Sequence, residues 1–252
     1  MELNKIYNES NLDTMARMPD NFIDLTVTSP PYDNLRTYNG YCFDFENVAK
    51  ELFRVTKQGG VVVWVVSDAT INGSETGTSF KQALYFMQCG FNLHDTMIFR
   101  KKNPIPQIYR KRYNNEFEYM FVFSKGVVKT HNPLMVDCLH AGLELNGTTY
   151  KNYSKNEQTR EKMANPVKAQ KIKGNIWEYV VGTKQEDKEA KGHPAIFPEQ
   201  LSNDHILSWS NENDIVYDPF MGSGTTAKMA IVNNRNWIGS EISSEYVELA
   251  NK

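Results

Sequence analysis

One loop whose residue types could do chemistry follows the apolar run Ile23–Thr28 and reads Thr28-Ser29-Pro30-Pro31-Tyr32. Two consecutive prolines fix φ and carry no N–H, so this loop offers carbonyl acceptors beside a hydroxyl and an aromatic ring. The Ser29 hydroxyl and the Pro30 carbonyl could each accept a hydrogen bond from one exocyclic amino group, while Tyr32 stacks on the ring that bears it. A strand that ends at proline, followed by a core tyrosine, is the alternative interpretation.

A second candidate loop, Asp218–Thr226, reads D-P-F-M-G-S-G-T-T and lies between a predicted strand and a predicted helix. Gly222 and Gly224 let the backbone approach a ligand closely, and the helix that follows presents free N–H groups. No Lys follows Gly224, so the loop differs from the phosphate loop of nucleoside-triphosphate enzymes. The third glycine of the dinucleotide motif G-x-G-x-x-G is also absent.

A carboxylate follows the next predicted strand: Glu241 lies 17 residues beyond Gly224. At this position in an open α/β sheet a carboxylate can accept hydrogen bonds from both ribose hydroxyls of an adenosine. An exposed charge at a strand end is the alternative. With the glycine loop upstream, the sequence favours an adenosine-containing cofactor.

The elements that must position these loops alternate between strands and helices. Apolar and β-branched runs predict strands, and apolar residues at helical spacing predict helices. The predicted strands are Ile23–Thr28, Val61–Val66, Leu93–Phe99, Phe117–Ser124, Ile215–Tyr217 and Trp237–Gly239. The predicted helices are Phe45–Thr56, Ser79–Cys89, Pro198–Trp209, Thr225–Val232 and Ser244–Ala250, with a turn at Gly59-Gly60 and a helix cap at Gly90. This alternation predicts an open α/β sheet with helices on both faces.

Both loops resemble those of a known family. Asp218–Thr226 resembles the S-adenosylmethionine loop, and Thr28–Tyr32 the catalytic motif, of the amino-methylating DNA methyltransferases. The order of the two motifs is similar to that of the permuted β class, and the stretches 192–199 and 115–125 also match the family pattern. The similarity covers nearly the whole chain except about 126–190.

The resemblance implies the fold and the division of the chain. We expect a doubly wound, mostly parallel sheet of the Rossmann-like methyltransferase type, with a small insertion for target recognition. Residues 1–125 would form the catalytic half, 126–190 the insertion, and 191–252 the cofactor-binding half. The strands that end at Ser29 and Asp218 are expected as neighbours, so that their loops meet at the carboxyl edge of the sheet.

The resemblance also implies roles for individual residues. The expected catalytic residues are Ser29, Pro30, Pro31 and Tyr32. The expected cofactor-binding residues are Asp218, Pro219, Phe220, Gly222, Gly224, Thr225, Glu241 and Pro198. The chain departs from the family at Glu9-Ser10-Asn11, where members commonly have an Asp near the cofactor; Glu9 or Ser10 could take its place.

The implied reaction is attack by an exocyclic amine of a flipped base on the methyl group of S-adenosylmethionine. Ser29 is more typical of the family's cytosine-N4 enzymes, and adenine N6 is the alternative target. Methylation at cytosine C5 is excluded because none of Cys42, Cys89 and Cys138 follows a proline. Cytosine deamination is excluded because the H-x-E and P-C-x-x-C motifs are absent. A non-catalytic nucleic-acid-binding module and an RNA substrate remain as rival interpretations.

Positive charge is concentrated in one part of the chain. Residues 98–175 contain 15 Lys and Arg against 6 Asp and Glu, whereas the rest contains 13 against 24. A solvated face is the ordinary explanation, but the resemblance favours a phosphate-binding surface on double-stranded DNA. The predicted DNA-binding residues are Arg100, Lys101, Lys102, Arg110, Lys111 and Arg112. A cognate restriction endonuclease and a second copy of the chain are further candidate partners.

Composition places the chain among globular proteins, with 252 residues of which 40% are hydrophobic. Its longest apolar run, Val61–Val66, is far shorter than the ~20 residues of a membrane span. We therefore expect a soluble cytoplasmic protein. Three widely spaced cysteines without a C-x-x-C motif indicate neither a disulfide framework nor a metal site.

Overall fold

A computed structural model describes residues 1–31, 43–106, 111–142, 149–151, 160–162, 167–182 and 198–251. Tyr32, Cys42, Arg110 and the 192–197 part of the family-like segment lie outside the described residues. The chain divides into two compact units, the first formed by residues 1–132 and 175–252 and the second by residues 133–174.

The described residues contain six helices and fourteen strands. The helices are α1 (Asn11–Ala16), α2 (Phe45–Val55), α3 (Thr78–Gln88), α4 (Glu199–Trp209), α5 (Thr225–Val232) and α6 (Ser244–Ala250). The strands are β1 (Lys5–Tyr7), β2 (Ile23–Thr28), β3 (Thr56–Val66), β4 (Thr70–Ile71), β5 (Ser74–Glu75), β6 (Asn92–Lys101), β7 (Phe117–Ser124), β8 (Met135–Asp137), β9 (Thr149–Lys151), β10 (Arg160–Lys162), β11 (Gln170–Ile172), β12 (Ile176–Tyr179), β13 (Ile215–Asp218) and β14 (Asn236–Ser240).

The first unit is built on an eight-stranded sheet in the order β1-β14-β13-β2-β3-β7-β6-β12. β7 pairs antiparallel with both of its neighbours, and every other described pair in this sheet is parallel. Seven strands therefore end at one common edge, which we call the carboxyl edge. This arrangement confirms the predicted mostly parallel α/β fold, and such sheets bind ligands at that edge.

The middle strand β3 shows why the sheet is covered on both faces. All six residues of Val61–Val66 are buried. Val62, Trp64 and Val66 pack in one hydrophobic cluster with apolar side chains of α1, α2 and α3. The alternate residues of β3 point to the opposite face of the sheet, where α4 and α5 pack against each other. A continuous apolar run is the sequence pattern of such a doubly covered parallel strand.

The predicted turn at Gly59-Gly60 is wrong, because both glycines lie within β3. Here the pairing of β2 with β3 is irregular, between the pairs Ile23–Thr56 and Leu25–Val61. A Cβ on Gly60 would lie 2.9 Å from the Asp24 carbonyl oxygen. Glycine therefore permits a bulge with close backbone approach, a geometry that a glycine pair in a strand can signal as readily as a turn.

The second unit contains two antiparallel strand pairs, β8 with β11 and β9 with β10. It is narrower than the 126–190 segment of the sequence analysis. The difference arises because Ile176–Tyr179 forms β12, which pairs with β6 at the edge of the main sheet. Among the described residues, no helix is long and apolar enough to span a membrane.

Candidate active site

Two neighbouring strands bring the two candidate loops together. β2 and β13 pair in parallel, with Leu25 opposite Val216 and Thr26 opposite Tyr217. Just beyond this pairing, the Thr28 hydroxyl donates a 2.6 Å hydrogen bond to Asp218 Oδ1, and both side chains are buried. The expected neighbour relation is thereby confirmed, and the start of the candidate catalytic motif is bonded directly to the start of the candidate cofactor loop.

Asp218 is a buried carboxyl group held by several donors. Its Oδ1 also accepts the Phe220 N–H at 3.0 Å. Burial raises the pKa of Asp218 to about 6, although hydrogen bonds from Thr28, the Phe220 N–H and Thr226 favour the ionised form. The nearby Glu241 carboxylate raises the pKa further. At neutral pH Asp218 is therefore ionised, and its hydrogen bond from the Phe220 N–H holds the start of the loop in place.

We expect Thr28→Val to shift the pH dependence of cofactor binding. Wild-type affinity should increase as pH rises through about 6, because ionisation of Asp218 fastens the loop. Loss of the Thr28 hydroxyl removes a donor that lowers the pKa of Asp218, so the midpoint should move up by roughly one pH unit. Titration calorimetry from pH 5 to 8 measures this shift, and Thr28→Ser, which keeps the hydroxyl, is the control. An identical midpoint in the Val variant would show that the hydroxyl does not control the carboxyl group.

The glycines of the second loop adopt backbone conformations that favour glycine. Gly222 has φ +54° and Gly224 has φ +87°, and Gly224 caps the N-terminus of α5. A Cβ on Gly224 would lie 2.9 Å from the Ala250 Cβ of α6. The loop therefore turns tightly into α5, with its backbone free to face a ligand.

Glu241 fixes the middle of this loop from the end of β14. Its Oε2 accepts the Gly222 N–H and its Oε1 accepts the Ser243 N–H, each at 2.9 Å. Burial raises the pKa of Glu241, while these N–H donors favour its ionised form. Each carboxylate oxygen has a second lone pair, so Glu241 can still accept hydrogen bonds from ligand hydroxyls.

Phe220 connects the cofactor loop to the hydrophobic core. Its ring lies edge-on to Phe43 at 5.2 Å and to Trp64 at 6.2 Å, measured between ring centroids. The Trp64 indole is fixed in turn, because its Nε1 donates to Gln82 Oε1 at 2.8 Å. Phe220 is half-buried, so this well-anchored ring also keeps some accessible surface.

Asn11 is a site residue that the sequence analysis missed. Its Nδ2 donates to the Pro219 carbonyl oxygen at 3.2 Å, and the side chain is buried. Its Oδ1 is buried and has no hydrogen-bond partner among the described residues. By contrast, the Glu9 carboxylate accepts a hydrogen bond from the Thr14 hydroxyl and forms a salt bridge with Arg17, both within the N-terminal segment. The side chain that reaches the cofactor loop in the Glu9-Ser10-Asn11 segment is therefore Asn11.

The remaining predicted site residues occupy varied environments. Ser29 and Pro31 are half-buried, and Pro30 is buried. Thr225 is buried at the first position of α5. Pro198 is buried directly before α4, and its carbonyl accepts the N–H groups of the first turn of that helix.

Three of the predicted DNA-binding side chains pair with carboxylates. The Arg100 Nη1 atom lies 2.9 Å from Glu178 Oε1, and the Lys101 Nζ atom lies 2.8 Å from Glu118 Oε1. The Arg112 Nη1 atom lies 3.2 Å from Glu75 Oε1. Lys102 and Lys111 are exposed on the connection between β6 and β7. The positive charge available for phosphates is therefore smaller than the count of basic residues indicates.

Comparisons with known proteins identify the family and a relative of this chain. The N6/N4 methyltransferase family, described as DNA methylase, matches residues 23–252. The orphan methyltransferase M.BamHII of Bacillus amyloliquefaciens is 57% identical over 234 residues, which cover 91% of this chain and 88% of that protein.

Solved structures share the fold. PvuII DNA methyltransferase, described as cytosine-N4-specific, superimposes with a TM-score of 0.75 at 20% identity, covering 98% of this chain and 84% of the other. The complex of M1.HpyAVI with S-adenosylmethionine gives a TM-score of 0.62 at 22% identity, covering 98% of this chain and 97% of the other.

Proposed function

The chain belongs to the N6/N4 amino-methyltransferase family of DNA methylases, and from this we propose that it methylates the N4 amino group of a flipped cytosine in double-stranded DNA. S-adenosylmethionine is the methyl donor of this family. The observation that carries the proposal is the hydrogen bond between Thr28 and Asp218. It supports one shared site, because it joins the motif predicted to hold the base to the loop predicted to hold the donor.

The residues present fit this donor. Glu241 would accept the ribose hydroxyls, and Phe220 would pack against the adenosine. The buried Asn11 Oδ1, which lacks a partner among the described residues, is an acceptor that a ligand N–H group would satisfy. When bound, S-adenosylmethionine supplies an electrophilic methyl group on a sulfonium.

The catalytic motif would hold the amine of the target base. The Ser29 hydroxyl and the Pro30 carbonyl would accept hydrogen bonds from the two N–H groups of this amine. These hydrogen bonds would favour the pyramidal nitrogen that carries positive charge in the transition state. Positioning supplies much of the remaining rate, since the reacting atoms must lie about 3–3.5 Å apart and in line. Tyr32 would stack on the flipped base. No metal takes part in this proposal.

Cytosine N4 is the target that Ser29 favours, through the resemblance of its motif to the family's cytosine enzymes. Adenine N6 is the second candidate, because a serine hydroxyl can accept a hydrogen bond from either amine. The segment 126–190, which includes the compact unit 133–174, is proposed to read the recognition sequence. A cognate endonuclease and a homodimer remain predictions.

Nucleoside analysis tests the proposal. The purified protein is incubated with isotopically labelled S-adenosylmethionine and unmethylated phage DNA, and the digested nucleosides are separated by mass spectrometry. Label in N4-methylcytosine supports the proposal, and label in N6-methyladenine establishes the second candidate. A parallel reaction contains RNA in place of DNA. Label in RNA alone, or cofactor binding without transfer to either polymer, would overturn both candidates.

We also expect Lys111→Ala to reduce the salt dependence of DNA binding. Lys111 is exposed on the connection that follows β6, and each phosphate contact that is lost should lower the slope of log K against log salt by about one. Fluorescence anisotropy with duplex DNA at several salt concentrations measures the slope. Lys5→Ala is the control, because Lys5 pairs with Glu2 in the N-terminal segment. A slope equal to that of the wild type would exclude Lys111 from the phosphate contacts.

A further inference from the structure

The connection between β6 and β7 begins at the edge of the sheet that holds the candidate active site. β6 runs in the same direction as β2 and β13, so its carboxyl end lies at the carboxyl edge. Three strand spacings separate β6 from β2, which corresponds to about 14 Å along the sheet. Of this connection, the structure describes residues 102–106 and 111–116.

Arg112 anchors the part of the connection formed by residues 111–116 through hydrogen bonds. Its guanidinium donates to the Gly73 carbonyl oxygen at 2.5 Å and to Glu75 Oε1 at 3.2 Å. Gly73 and Glu75 belong to the β4–β5 hairpin, which follows the carboxyl end of β3. Because β3 is the neighbour of β2, Arg112 ties the part of the connection that contains Tyr113 to the same edge of the sheet as the candidate catalytic motif.

The described parts of this connection and the hairpin carry exposed apolar side chains. Tyr113 is 99% exposed, Ile105 between two prolines is 83% exposed, and Ile71 of the hairpin is 55% exposed. Lys102 and Lys111 lie beside them in the sequence and are also exposed. Exposed apolar and aromatic side chains among cationic ones are typical of surfaces that contact both the bases and the phosphates of nucleic acid.

We propose that Tyr113 enters the DNA duplex next to the extruded base and stacks against the bases left without a neighbour. Arg112 is the positioning residue that aims Tyr113. This inference rests on the proposed function, because a base must leave the stack before its neighbours need a new contact. The aromatic ring replaces part of the stacking that extrusion removes.

The test compares turnover on two duplexes that contain the methylation site found by sequencing DNA modified by the wild-type protein. One duplex has a paired target base, and the other has the same base opposite a mismatch, which lowers the cost of extrusion. Tyr113→Ala should reduce turnover on the paired duplex about 10-fold and on the mismatched duplex less than about 3-fold. Tyr113→Phe should retain most activity, because it keeps the ring. Val232→Ala is the control, since Val232 is 64% exposed at the C-terminal end of α5 and belongs to neither candidate loop nor the 126–190 segment.

The outcomes separate this inference from the proposed function. If the wild-type protein modifies no DNA, so that no methylation site is found, the proposed function fails. If the wild type is active and Tyr113→Ala is unchanged on both duplexes, or loses equal activity on both, the role assigned to Tyr113 is wrong. Cofactor affinity should stay equal in all variants, because Tyr113 lies outside the cofactor loop.

Discussion

Ser29→Ala is expected to lower the turnover number about 100-fold, the loss typical of removing one hydrogen-bond partner that acts in the transition state. The hydroxyl would accept one of the two N–H groups of the target amine, and no other described side chain is assigned that role. Cofactor affinity should be unchanged, because the cofactor loop is held by Asp218 and Glu241. Single-turnover kinetics with saturating DNA and S-adenosylmethionine measure the effect, with the dissociation constant of the cofactor measured in parallel.

Ser29→Asn provides the matched comparison for this prediction. Its side-chain carbonyl restores an acceptor, so its loss of turnover should be smaller than that of Ser29→Ala. A turnover within about 3-fold of wild type in the Ala variant would remove Ser29 from the catalytic group. Such a result would leave the Pro30 carbonyl as the acceptor from this motif.

Glu241→Gln is expected to weaken cofactor binding about 10- to 100-fold, since hydrogen bonds to a charged acceptor contribute about 1.5–3 kcal/mol. In the wild type both carboxylate oxygens accept backbone N–H groups, from Gly222 and Ser243. A glutamine amide must turn its NH2 group toward one of these donors, which loosens the loop. The same change removes an acceptor for the ribose hydroxyls.

Titration calorimetry with S-adenosylmethionine measures this loss. The control is Glu245→Gln, because Glu245 is an exposed carboxylate in the first turn of α6. Turnover at saturating cofactor should fall much less than affinity, since Glu241 lies away from the methyl group in this account. An unchanged dissociation constant in Glu241→Gln would contradict both roles, because the substitution disturbs the loop and removes the acceptor for the ribose hydroxyls.

Strong local patterns explain the parts of the fold that were predictable. The run Val61–Val66 identified a buried parallel strand, and helical spacing identified α5 and α6 with the bounds that the structure shows. The two loops were recognisable because proline restricts the backbone, whereas glycine permits conformations that other residues rarely adopt. Their meeting at one edge then followed from the topology of parallel sheets.

Long-range contacts explain what sequence reasoning missed. β1 has only three residues and forms because it pairs with β14, more than 200 residues away. Asn11 gains its role from a hydrogen bond to Pro219 across a similar separation. Likewise, the cross-strand contact between Arg100 and Glu178 uses a charge that the sequence analysis assigned to DNA. No local pattern encodes such pairs.

A crystal structure of this protein with S-adenosylmethionine is the most direct measurement of the shared site. We predict that the ribose hydroxyls lie within hydrogen-bond distance of Glu241 and that the donor methyl group faces the Ser29 hydroxyl across an open space of about one base. A cofactor bound elsewhere, or one whose methyl group points away from Ser29, would contradict the account.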